Sequence, residues 1–353
     1  MTTASTGTTR LNWGVLGTGG IAHKFAAGVA ASETGTLLAV GSRTQESADR
    51  FGKLCGAARR YPSYDAVLAD PAVQAVYIAL PNSMHAAWAI KAAQAGKHIL
   101  CEKPLTANAA EAERVIEAAR RHDVFLLEAS LYRCHPQTAR LDALLREGVI
   151  GDVRLIECRF SFDLGSQGPD DNIRLSNPLA GGGIMDVGCY VASLALLVAG
   201  EAPDDVTGLA HIDARSRVDE WATANLRFPS GALASLVCGT RVASERALAV
   251  WGAEGSIHVS EPWKPAGAEG RIVVRRKGAE PEEIAVDKGG DLWARAVDTV
   301  ARYIPERQVP RPGMTWADSL DTMRVLDRWR QAVGLVFDGE QPAQDAGTIK
   351  RTP

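Results

Sequence analysis

A lysine at the end of a predicted strand is the residue in this sequence best placed for chemistry. Cys101-Glu102-Lys103-Pro104 follows the short run Lys97–Leu100, which is typical of a strand. Proline locks its own φ angle and biases the residue before it away from a helix, so Lys103 projects from a rigid turn. Ligands of α/β sheets bind at the carboxyl ends of the strands. The turn therefore predicts a ligand-facing ammonium group, although a lone Glu-Lys-Pro is more often an ordinary surface turn.

A second pair of reactive side chains lies on a predicted apolar helix, Gly183–Gly200. Asp186 and Tyr190 are four residues apart and therefore share one helical face. Such a pair can be structural, because two buried polar groups can satisfy each other. Three glycines, at 181–183, allow close approach of the backbone to a ligand and favour a binding site.

The elements that position these residues begin with a strand–turn–helix unit. Leu11–Leu16 predicts a strand, Gly17–Ala22 reads G-x-G-x-x-A, and His23–Ala31 has a helical pattern. This is the dinucleotide fingerprint in its required context, in which glycines form the tight turn and let the backbone approach a pyrophosphate. The helix N-terminus then faces the phosphates. The alternative is a glycine-rich turn without a ligand. The residues expected to bind the cofactor here are Gly17, Thr18, Gly19, Gly20 and Ile21.

The end of the second predicted strand, Gly35–Val40, indicates which dinucleotide is used. An Asp or Glu at this point would hold the ribose 2′-hydroxyl of NAD, and none is present. Ser42 and Arg43 offer a hydroxyl and a guanidinium group suited to a 2′-phosphate. We therefore predict NADP(H), with NAD or dual specificity as the alternative if Arg43 is only a solvated loop residue.

Other strand ends contribute further pocket candidates. The strand Val73–Leu80 ends in Pro-Asn-Ser-Met-His, where Asn82 or Ser83 can cap the next helix and His85 can pack in the core. Their position at a strand end favours the binding interpretation. The residues predicted to contact the cofactor from these ends are Leu80, Asn82, His85, Glu102 and Lys103.

The junction after the last predicted strand of the first half carries Tyr132 and Arg133. Arg133 is predicted to line the cofactor pocket and Tyr132 the substrate pocket, with an interdomain ion pair as an equal alternative for Arg133. In the polar loop 163–180, which is long enough to be functional, Asn172 and Arg174 are candidate substrate contacts.

Five motifs, in chain order, resemble those of the glucose–fructose oxidoreductase / inositol dehydrogenase / MocA family. They are GTGGIA at 17–22, LPNSMH at 80–85, GKHILCEKPL at 96–105, YRCHP at 132–136 and GGGIMDVGCY at 181–190. The segments 160–163 and 171–175 are most similar to the branch with dihydrodiol dehydrogenase and NADP-dependent D-xylose dehydrogenase. Less distinctive similarity extends to Asp318-Ser319-Leu320.

The resemblance implies that Lys103, Asp186 and Tyr190 form a catalytic group and also bind the substrate. Tyr190 stands where inositol dehydrogenase-like members have a histidine. Tyrosine has an ordinary pKa of about 10, and the ammonium of Lys103 favours its phenolate, whereas Asp186 opposes it. The mechanistic hypothesis is that Tyr190 takes the hydroxyl proton, while Lys103 steers the substrate oxygen and Asp186 holds a second hydroxyl.

The pattern of elements predicts an α/β protein with two domains. Residues 11–130 alternate strands and helices, which indicates a doubly wound parallel sheet of the Rossmann type. Residues 131–340 are predicted to form an α/β domain with a large, mostly antiparallel open sheet. Residues 1–10 and 341–353 are expected to be flexible tails. The family resemblance implies that the open sheet is an oligomer interface, in a dimer or tetramer.

Composition narrows the class of protein. The 353 residues are 46% hydrophobic and 23% charged, with a net charge of −3, so nothing indicates nucleic acid or an anionic membrane as partner. No apolar stretch reaches the ~18 residues needed to span a bilayer. The six cysteines are scattered without a C-x-x-C pair, which favours free thiols in the cytoplasm and no metal site.

The leading functional hypothesis is an NADP-dependent oxidoreductase that transfers a hydride between nicotinamide and a sugar hydroxyl, as a D-xylose or aldose 1-dehydrogenase does. The alternatives are a trans-dihydrodiol dehydrogenase, a dehydrogenase of secondary sugar alcohols, or a ketoreductase. A non-catalytic NADP-binding sensor is a more distant alternative, because a sensor has no need of Lys103, Asp186 and Tyr190 together. A use of NAD without net oxidation is disfavoured by Arg43.

Overall fold

Six strands near the start of the chain form a parallel sheet in the computed structural model, which describes residues 10–166, 172–263, 271–287 and 290–340. In chain order they are β1 (Leu11–Leu16), β2 (Gly35–Gly41), β3 (Arg59–Tyr61), β4 (Ala75–Ile78), β5 (His98–Cys101) and β6 (Leu126–Glu128). Across the sheet their order is β3-β2-β1-β4-β5-β6. The order reverses between β1 and β4, which places a ligand cleft at their carboxyl ends. The predicted Rossmann fold is confirmed.

Helices cover both faces of this sheet, so its strands are apolar on both sides and almost completely buried. The helices are α1 (Gly20–Ala31), α2 (Gln45–Cys55), α3 (Tyr64–Ala69), α4 (Asn82–Gln94) and α5 (Ala109–Arg121). Thr44, Ser63 and Asn108 cap α2, α3 and α5 through their side chains. These caps satisfy backbone N–H groups that the helices cannot bond internally.

Two helices begin earlier than the sequence pattern predicts. Helix α1 starts at Gly20, inside the glycine loop, and not at His23. Helix α4 starts at Asn82, and the residue in its N-cap position is Pro81, which offers no side-chain bond. Asn82 and Ser83 therefore do not cap this helix as considered above. In both cases the loop at the strand end is itself the first helical turn, which turns backbone N–H groups toward the cleft.

Eight strands form the second sheet. In chain order they are β7 (Val153–Ser161), β8 (Asp205–Ile212), β9 (Asp219–Arg227), β10 (Leu233–Gly239), β11 (Ala247–Gly252), β12 (Gly255–Ser260), β13 (Arg271–Arg276) and β14 (Glu282–Ala285). Their order across the sheet is β14-β13-β12-β11-β7-β10-β9-β8. Only β7 and β10 pair in parallel among these strands. The predicted mostly antiparallel sheet is confirmed.

One face of the second sheet carries helices, and no element of the described residues covers the other, which is called the uncovered face below. The helices of this half are α6 (Pro136–Arg146), α7 (Cys189–Ala199), α8 (Leu292–Tyr303) and α9 (Trp316–Val333). Helices α7 and α9 contact the sheet directly. Residues 177–199 are long and apolar enough to cross a membrane, but 83% of that window is buried inside the protein, as in a core helix. On the uncovered face, Leu209, Trp221 and Leu233 are exposed.

The chain returns to the first domain near its end. Trp293 of α8 packs so closely on α1 that a Cβ at Gly28 would lie 2.2 Å from the Cβ of Trp293. Val297 and Val300 belong to the same buried cluster as Trp13 of β1. A domain boundary at residue 131 does not anticipate this return, because the sequence signal of α8 is that of any amphipathic helix.

The segment before β1 is anchored at its last residue. Arg10, which the sequence places in a flexible tail, donates from Nε to the carbonyl of Gly35 at 2.7 Å. The rest of that predicted tail, residues 1–9, and the predicted tail 341–353 lie outside the described residues.

Candidate active site

Lys103 and Asp186 meet between the two domains. Lys103 lies two residues beyond β5, and its peptide bond to Pro104 is cis. Its Nζ donates to Asp186 Oδ1 at 2.9 Å and to the backbone carbonyl of Asp186 at 2.5 Å. Both side chains are only 13% exposed. The two residues that the sequence singled out from segments 83 positions apart therefore form one ion pair.

A third charge completes this group. Arg174 donates from Nε to the second carboxylate oxygen of Asp186 at 2.8 Å. Burial raises the pKa of Asp186, but Lys103 and Arg174 outweigh burial and hold that pKa below its usual value. Burial also lowers the pKa of Lys103, and Asp186 with its neighbours more than compensates, so that the pKa of Lys103 lies above its usual value. Lys103 and Asp186 therefore both stay charged at neutral pH.

Tyr190 faces Lys103 with its ring. The Lys103 Nζ lies 4.9 Å from the ring centroid, a distance at which a cation is attracted to an aromatic face. Burial raises the pKa of Tyr190 above its usual value, and Lys103 offsets burial only in part. Tyr190 is thus a neutral phenol at neutral pH in this arrangement. Of the two charged neighbours, Lys103 affects this pKa more than Asp186 does, but burial outweighs Lys103 and disfavours the phenolate.

The helix that carries Asp186 and Tyr190 does not start as a regular α-helix. Residues Ile184–Gly188 form a π-helical turn that leads into α7. Such turns recur at functional sites because they widen the backbone and release a carbonyl from its regular hydrogen bond. Here the backbone carbonyl of Asp186 accepts a hydrogen bond from the ammonium group of Lys103. The sequence, which predicted one continuous helix over 183–200, missed this turn.

Two of the three glycines before this turn, Gly182 and Gly183, make room for a buried carboxylate, whereas Gly181 lines the cleft. A Cβ at Gly182 would lie 2.3 Å from Asp219 Oδ1, and Gly182 has a φ of +105°. Asp219, at the start of β9, is fully buried and accepts from the N–H of Ile184 at 2.7 Å. Burial raises the pKa of Asp219 to about 7. Asp219 was not predicted, because nothing in the sequence links it to a glycine triplet 36 residues earlier.

Glu102 and His85 form hydrogen bonds that hold the turn at Lys103 in place. Glu102 accepts from the Tyr77 hydroxyl at 2.6 Å and from the Lys103 N–H at 3.3 Å, and it also lines the cleft. His85 is completely buried, and its ring nitrogens lie 2.9 Å from the Pro104 carbonyl and 2.8 Å from that of Leu80. Both ring nitrogens are thus engaged by backbone in this structure, and the cofactor contact of His85 stays a prediction. The ring is enclosed by backbone at the two strand ends it joins.

Tyr132 and Arg133 lie at the domain junction, as expected, but neither presents its polar group to a ligand. Arg133 is buried and donates to the carbonyl of Ser193 at 3.1 Å, while its Nη2 lies 3.1 Å from Asp318 Oδ2. Arg133 thus has an ion pair, although Asp318 lies in the same predicted domain, and its predicted cofactor contact stays a prediction. Tyr132 lines the cleft, but its hydroxyl bonds Ser193 Oγ at 2.7 Å, and burial raises its pKa to about 12.

The remaining loop candidates have different positions. Asn82 lines the cleft and donates to the Ala180 carbonyl at 2.8 Å, which ties the first domain to the glycine segment of the second. Asn172 Oδ1 accepts from the N–H of Arg174 at 3.0 Å, as the N-cap of a short 3₁₀ helix. Arg174 lines the cleft and Asn172 is not among its lining residues. Asn172 therefore positions Arg174, and its predicted substrate contact is not supported.

The glycine loop fits a dinucleotide. Gly17 has a φ of +104°, and a Cβ there would lie 2.5 Å from the Ala79 carbonyl, so only glycine is accommodated. At Gly19 and Gly20 nothing lies within 4 Å of the Cβ position, which leaves open space above the N-terminus of α1. Thr18 Oγ1 lies 3.4 Å from Ser42 Oγ at the end of β2. This open, donor-rich cradle has the shape that a pyrophosphate requires.

The cleft itself is a cavity of about 760 Å³ that both domains line. From residues 11–130 come Ile21, Lys24, Leu80, Asn82, Glu102, Lys103 and Ala129; from residues 131–340 come Leu131, Tyr132, Phe160, Phe162, Ile173, Arg174, Leu179, Gly181, Asp186, Val187, Tyr190, Arg246, Trp263 and Gly290–Trp293. Sequence reasoning missed Arg246 and Trp263, which lie outside every motif. No group of three or more His, Cys, Asp or Glu that could hold a metal occurs within the described ranges.

Comparison with known proteins matches this geometry to a family. The description "Oxidoreductase family, NAD-binding Rossmann fold" matches residues 11–130, and the GFO/IDH/MocA C-terminal domain matches residues 138–258. The chain belongs to the GFO/IDH/MocA oxidoreductase family. Its assignment as an oxidoreductase with a nicotinamide dinucleotide-binding domain, which the motifs predicted, is confirmed.

Similarity to three relatives indicates the branch of the family to which this chain is most similar. A D-xylose 1-dehydrogenase (NADP⁺) of Haloferax volcanii is 34% identical and aligns over 89% of this chain and 95% of its own. A trans-1,2-dihydrobenzene-1,2-diol dehydrogenase of Mus musculus is 28% identical, over 93% and 98%. A 3-ketoreductase of Actinomadura kijaniata, solved with NADP and TDP-benzene, superposes with a TM-score of 0.84 at 27% identity, over 92% and 98%. The predicted branch of the GFO/IDH/MocA family is confirmed.

Proposed function

We propose that this oxidoreductase uses NADP(H) to transfer a hydride between the nicotinamide and a sugar hydroxyl, as a D-xylose or related aldose 1-dehydrogenase. The observation that carries the proposal is the placement of Lys103. Its ammonium is held by Asp186 against the ring of Tyr190, in a cavity that extends to the glycine loop. A fixed cation beside a phenol is the equipment for binding a hydroxyl oxygen and moving its proton.

The preference for NADP over NAD rests on the end of β2. Arg43 is exposed there, next to the buried Ser42, and no carboxylate follows the strand. A guanidinium group in that position suits a 2′-phosphate and gains nothing from a 2′-hydroxyl. The NADP named for the xylose dehydrogenase and for the ketoreductase structure supports the same assignment.

The bound nicotinamide supplies the hydride acceptor or donor, and the protein supplies the proton and the geometry. Lys103 donates a hydrogen bond to the reacting oxygen, and Asp186 keeps Lys103 charged and oriented. Tyr190 exchanges the proton of that oxygen. Arg174 already occupies one oxygen of Asp186, so a second substrate hydroxyl reaches this carboxylate only by sharing it with Arg174. We therefore assign substrate orientation to Asp186 and Arg174 together.

Ketone or aldehyde reduction is a second candidate, and one observation favours it. Burial holds the pKa of Tyr190 above its usual value, so the resting enzyme presents a phenol that donates a proton. Reduction consumes such a proton, whereas oxidation needs the site to release one first. A trans-dihydrodiol or a secondary sugar alcohol as substrate belongs to the oxidative alternatives, and a non-catalytic NADP sensor ranks below all of these.

The test of this proposal is the near-ultraviolet absorbance of reduced nicotinamide. Purified protein is mixed with NADP⁺, or separately with NAD⁺, and a panel of aldoses, polyols and trans-diols. We expect absorbance to grow with NADP⁺ and an aldose. Growth with NAD⁺ alone contradicts the role of Arg43. If no alcohol gives a signal but NADPH is oxidised with keto-sugars, the reductive candidate is favoured. If the protein binds the cofactor and neither reaction occurs, the sensor is favoured.

We also propose that the protein acts in the cytoplasm as a homo-oligomer. Its six cysteines are all free, four of them buried, as suits a reducing compartment. The uncovered face of the second sheet exposes Leu209 and Trp221, and His211 stacks on Trp221 at 4.1 Å. An apolar sheet face of this kind is covered most simply by a second copy of itself.

A further inference from the structure

One buried donor in the cleft wall has no partner. Nearly all buried polar atoms in proteins are hydrogen-bonded, so each exception calls for an explanation. Among the buried side-chain nitrogen and oxygen atoms without a partner in the described chain, only Arg246 Nε belongs to a residue that lines the cleft. An arginine Nε–H can only donate, so what is missing at this point is an acceptor.

The surroundings of Arg246 place this donor beside the catalytic group. Arg246 immediately precedes β11, and its guanidinium carbon lies 5.3 Å from the ring centroid of Phe160. The same ring lies 5.3 Å from that of Tyr190 and stacks on Trp263 at 5.2 Å. The Trp263 Nε1 donates to the Tyr190 carbonyl at 3.2 Å. Arg246 is therefore one aromatic ring away from the residue that handles the proton.

The charge of Arg246 is already compensated. Its Nη1 donates to Glu261 Oε2 at 2.7 Å. An anionic group bound at Nε would lie close to this carboxylate and be repelled by it. A neutral oxygen, such as a hydroxyl or a ring oxygen, accepts from Nε without that penalty. The arrangement therefore selects a neutral acceptor.

We propose that Arg246 is a specificity-determining residue that donates from Nε to an oxygen of a neutral sugar, away from the carbon that reacts. This proposal rests on the proposed function, because it assigns the far end of the same substrate site. Arg246 and Lys103 hold two oxygens of one ring, and Phe160 contributes an apolar wall between them. Acidic sugars are rejected by Glu261, and deoxy-sugars that lack the matching hydroxyl leave Nε unsatisfied, at a cost in binding.

The test is a double-mutant cycle between enzyme and substrate. Wild-type protein and Arg246→Met are compared on D-xylose and its monodeoxy analogues, by kcat/KM with NADP⁺ and by sugar binding to the NADP-loaded protein, read from tryptophan fluorescence. For the wild type, we expect kcat/KM and sugar affinity to be about ten- to one hundredfold lower for one deoxy analogue than for D-xylose, the range for a hydrogen bond to a charged group. In Arg246→Met, kcat/KM and affinity for D-xylose itself should fall by a similar factor. The same variant should show little further fall on that deoxy analogue.

Three further variants keep the result interpretable. Arg276→Met breaks a comparable arginine–glutamate pair on the same sheet, Arg276 to Glu282 at 2.8 Å, and should leave sugar selectivity unchanged. Arg246→Lys retains a charge for Glu261 but lacks Nε, so it should lose selectivity even where Arg246→Met folds poorly. Glu261→Gln should raise the ratio of uronate to aldose binding several-fold, because Arg246 then carries an uncompensated charge.

Equal losses in wild type and Arg246→Met for every deoxy analogue overturn the proposal. So does the absence of sugar binding by the wild type. If sugars bind with the expected pattern and none is turned over with either cofactor in either direction, the proposed function fails while the subsite stands.

Discussion

Lys103 is a buried cation that depends on a single carboxylate from the other domain. Burying a charge is costly unless a partner of opposite charge lies close to it, and Asp186 is that partner. Arg174 bonds the second oxygen of Asp186, so both carboxylate oxygens have a partner and the carboxylate is held in one orientation toward Lys103. This arrangement fixes the ammonium group in position before any substrate enters, which is what electrostatic catalysis requires.

Replacing Lys103 by methionine tests this role. Lys103→Met removes the donor to the reacting oxygen, and we expect turnover to fall by about 10²–10⁴-fold, as for the loss of an acid–base group. Affinity for NADP should stay nearly unchanged, because the glycine loop is untouched. Steady-state kinetics and cofactor titration measure the two effects. Lys91→Met, which breaks the exposed Lys91–Asp65 pair at 2.9 Å, is the control. Substantial activity in Lys103→Met would contradict the mechanism.

The protonation state of Tyr190 predicts opposite pH dependences for the two directions. Its pKa is raised above the usual value of about 10, so the phenol persists through neutral pH. Reduction, which uses the phenol, should have a kcat independent of pH between about 6 and 9. Oxidation, which needs the phenolate form, should accelerate as pH rises over the same range. Tyr190→Phe should remove the alkaline rise, and its persistence in that variant would assign the proton to another group.

At the scale of elements, the π-helical turn before α7 brings together a carbonyl, a carboxylate and a phenol. Its N-terminus rests on Asp219, which has room because glycines stand at 182 and 183. A Cβ at Gly183 would lie 3.0 Å from Asp219 Oδ2. Gly182 and Gly183 thus shape the site indirectly, by making room for the carboxylate on which this helix begins.

Gly182→Ala should disturb the start of this helix. A Cβ at position 182 would lie 2.3 Å from Asp219 Oδ1. The alanine would also have to adopt a φ of +105°, and this backbone strain alone costs about 1–3 kcal/mol of stability. We expect lower stability in urea denaturation and a lower kcat, because the turn carrying Asp186 shifts. Gly278→Ala is the matched control, since Gly278 has a φ of +77° with nothing within 4 Å of its Cβ position. Equal effects of the two substitutions would show that Asp219 plays no part.

The elements that the sequence predicted are those with a local signal. The strand–loop–helix around Gly17 and the turn at Lys103 depend on neighbouring residues, and both are present. The environment of a side chain depends on distant segments, and the sequence does not reveal those. His85 and Arg133 have the chemistry of ligand-binding residues, but backbone carbonyls from other parts of the chain enclose both. Asp219 and Arg246 gave no signal for the same reason.

At the scale of the whole molecule, the cleft exists only because two domains meet. Asn82 of the first domain bonds the Ala180 carbonyl of the second, and Lys103 bonds Asp186 across the same gap. The helix-covered face of the second sheet holds one half of the cleft. Its other face, which no described residue covers, is the one proposed above for association between copies.

Substitution on the uncovered face tests that association. Leu209 is 78% exposed at the middle of β8, and Leu209→Glu places a charge on the apolar face. We expect wild-type protein to sediment as a dimer or tetramer at micromolar concentration and Leu209→Glu to shift toward monomer. Leu54→Glu is the control, because Leu54 is 74% exposed on α2, away from this sheet. A monomeric wild type, or equal behaviour of both variants, would exclude this interface.

The return of the chain to the first domain affects how that domain folds during synthesis. The buried layer against α1 is completed by Val297 and Val300, which a ribosome adds only after all eight strands of the second sheet. The N-terminal portion, although it carries the whole dinucleotide fingerprint, therefore emerges with an apolar helix face unprotected. Expressed as an isolated fragment of residues 1–130, it should aggregate, and co-expression with a peptide spanning 290–314 should restore a soluble fragment.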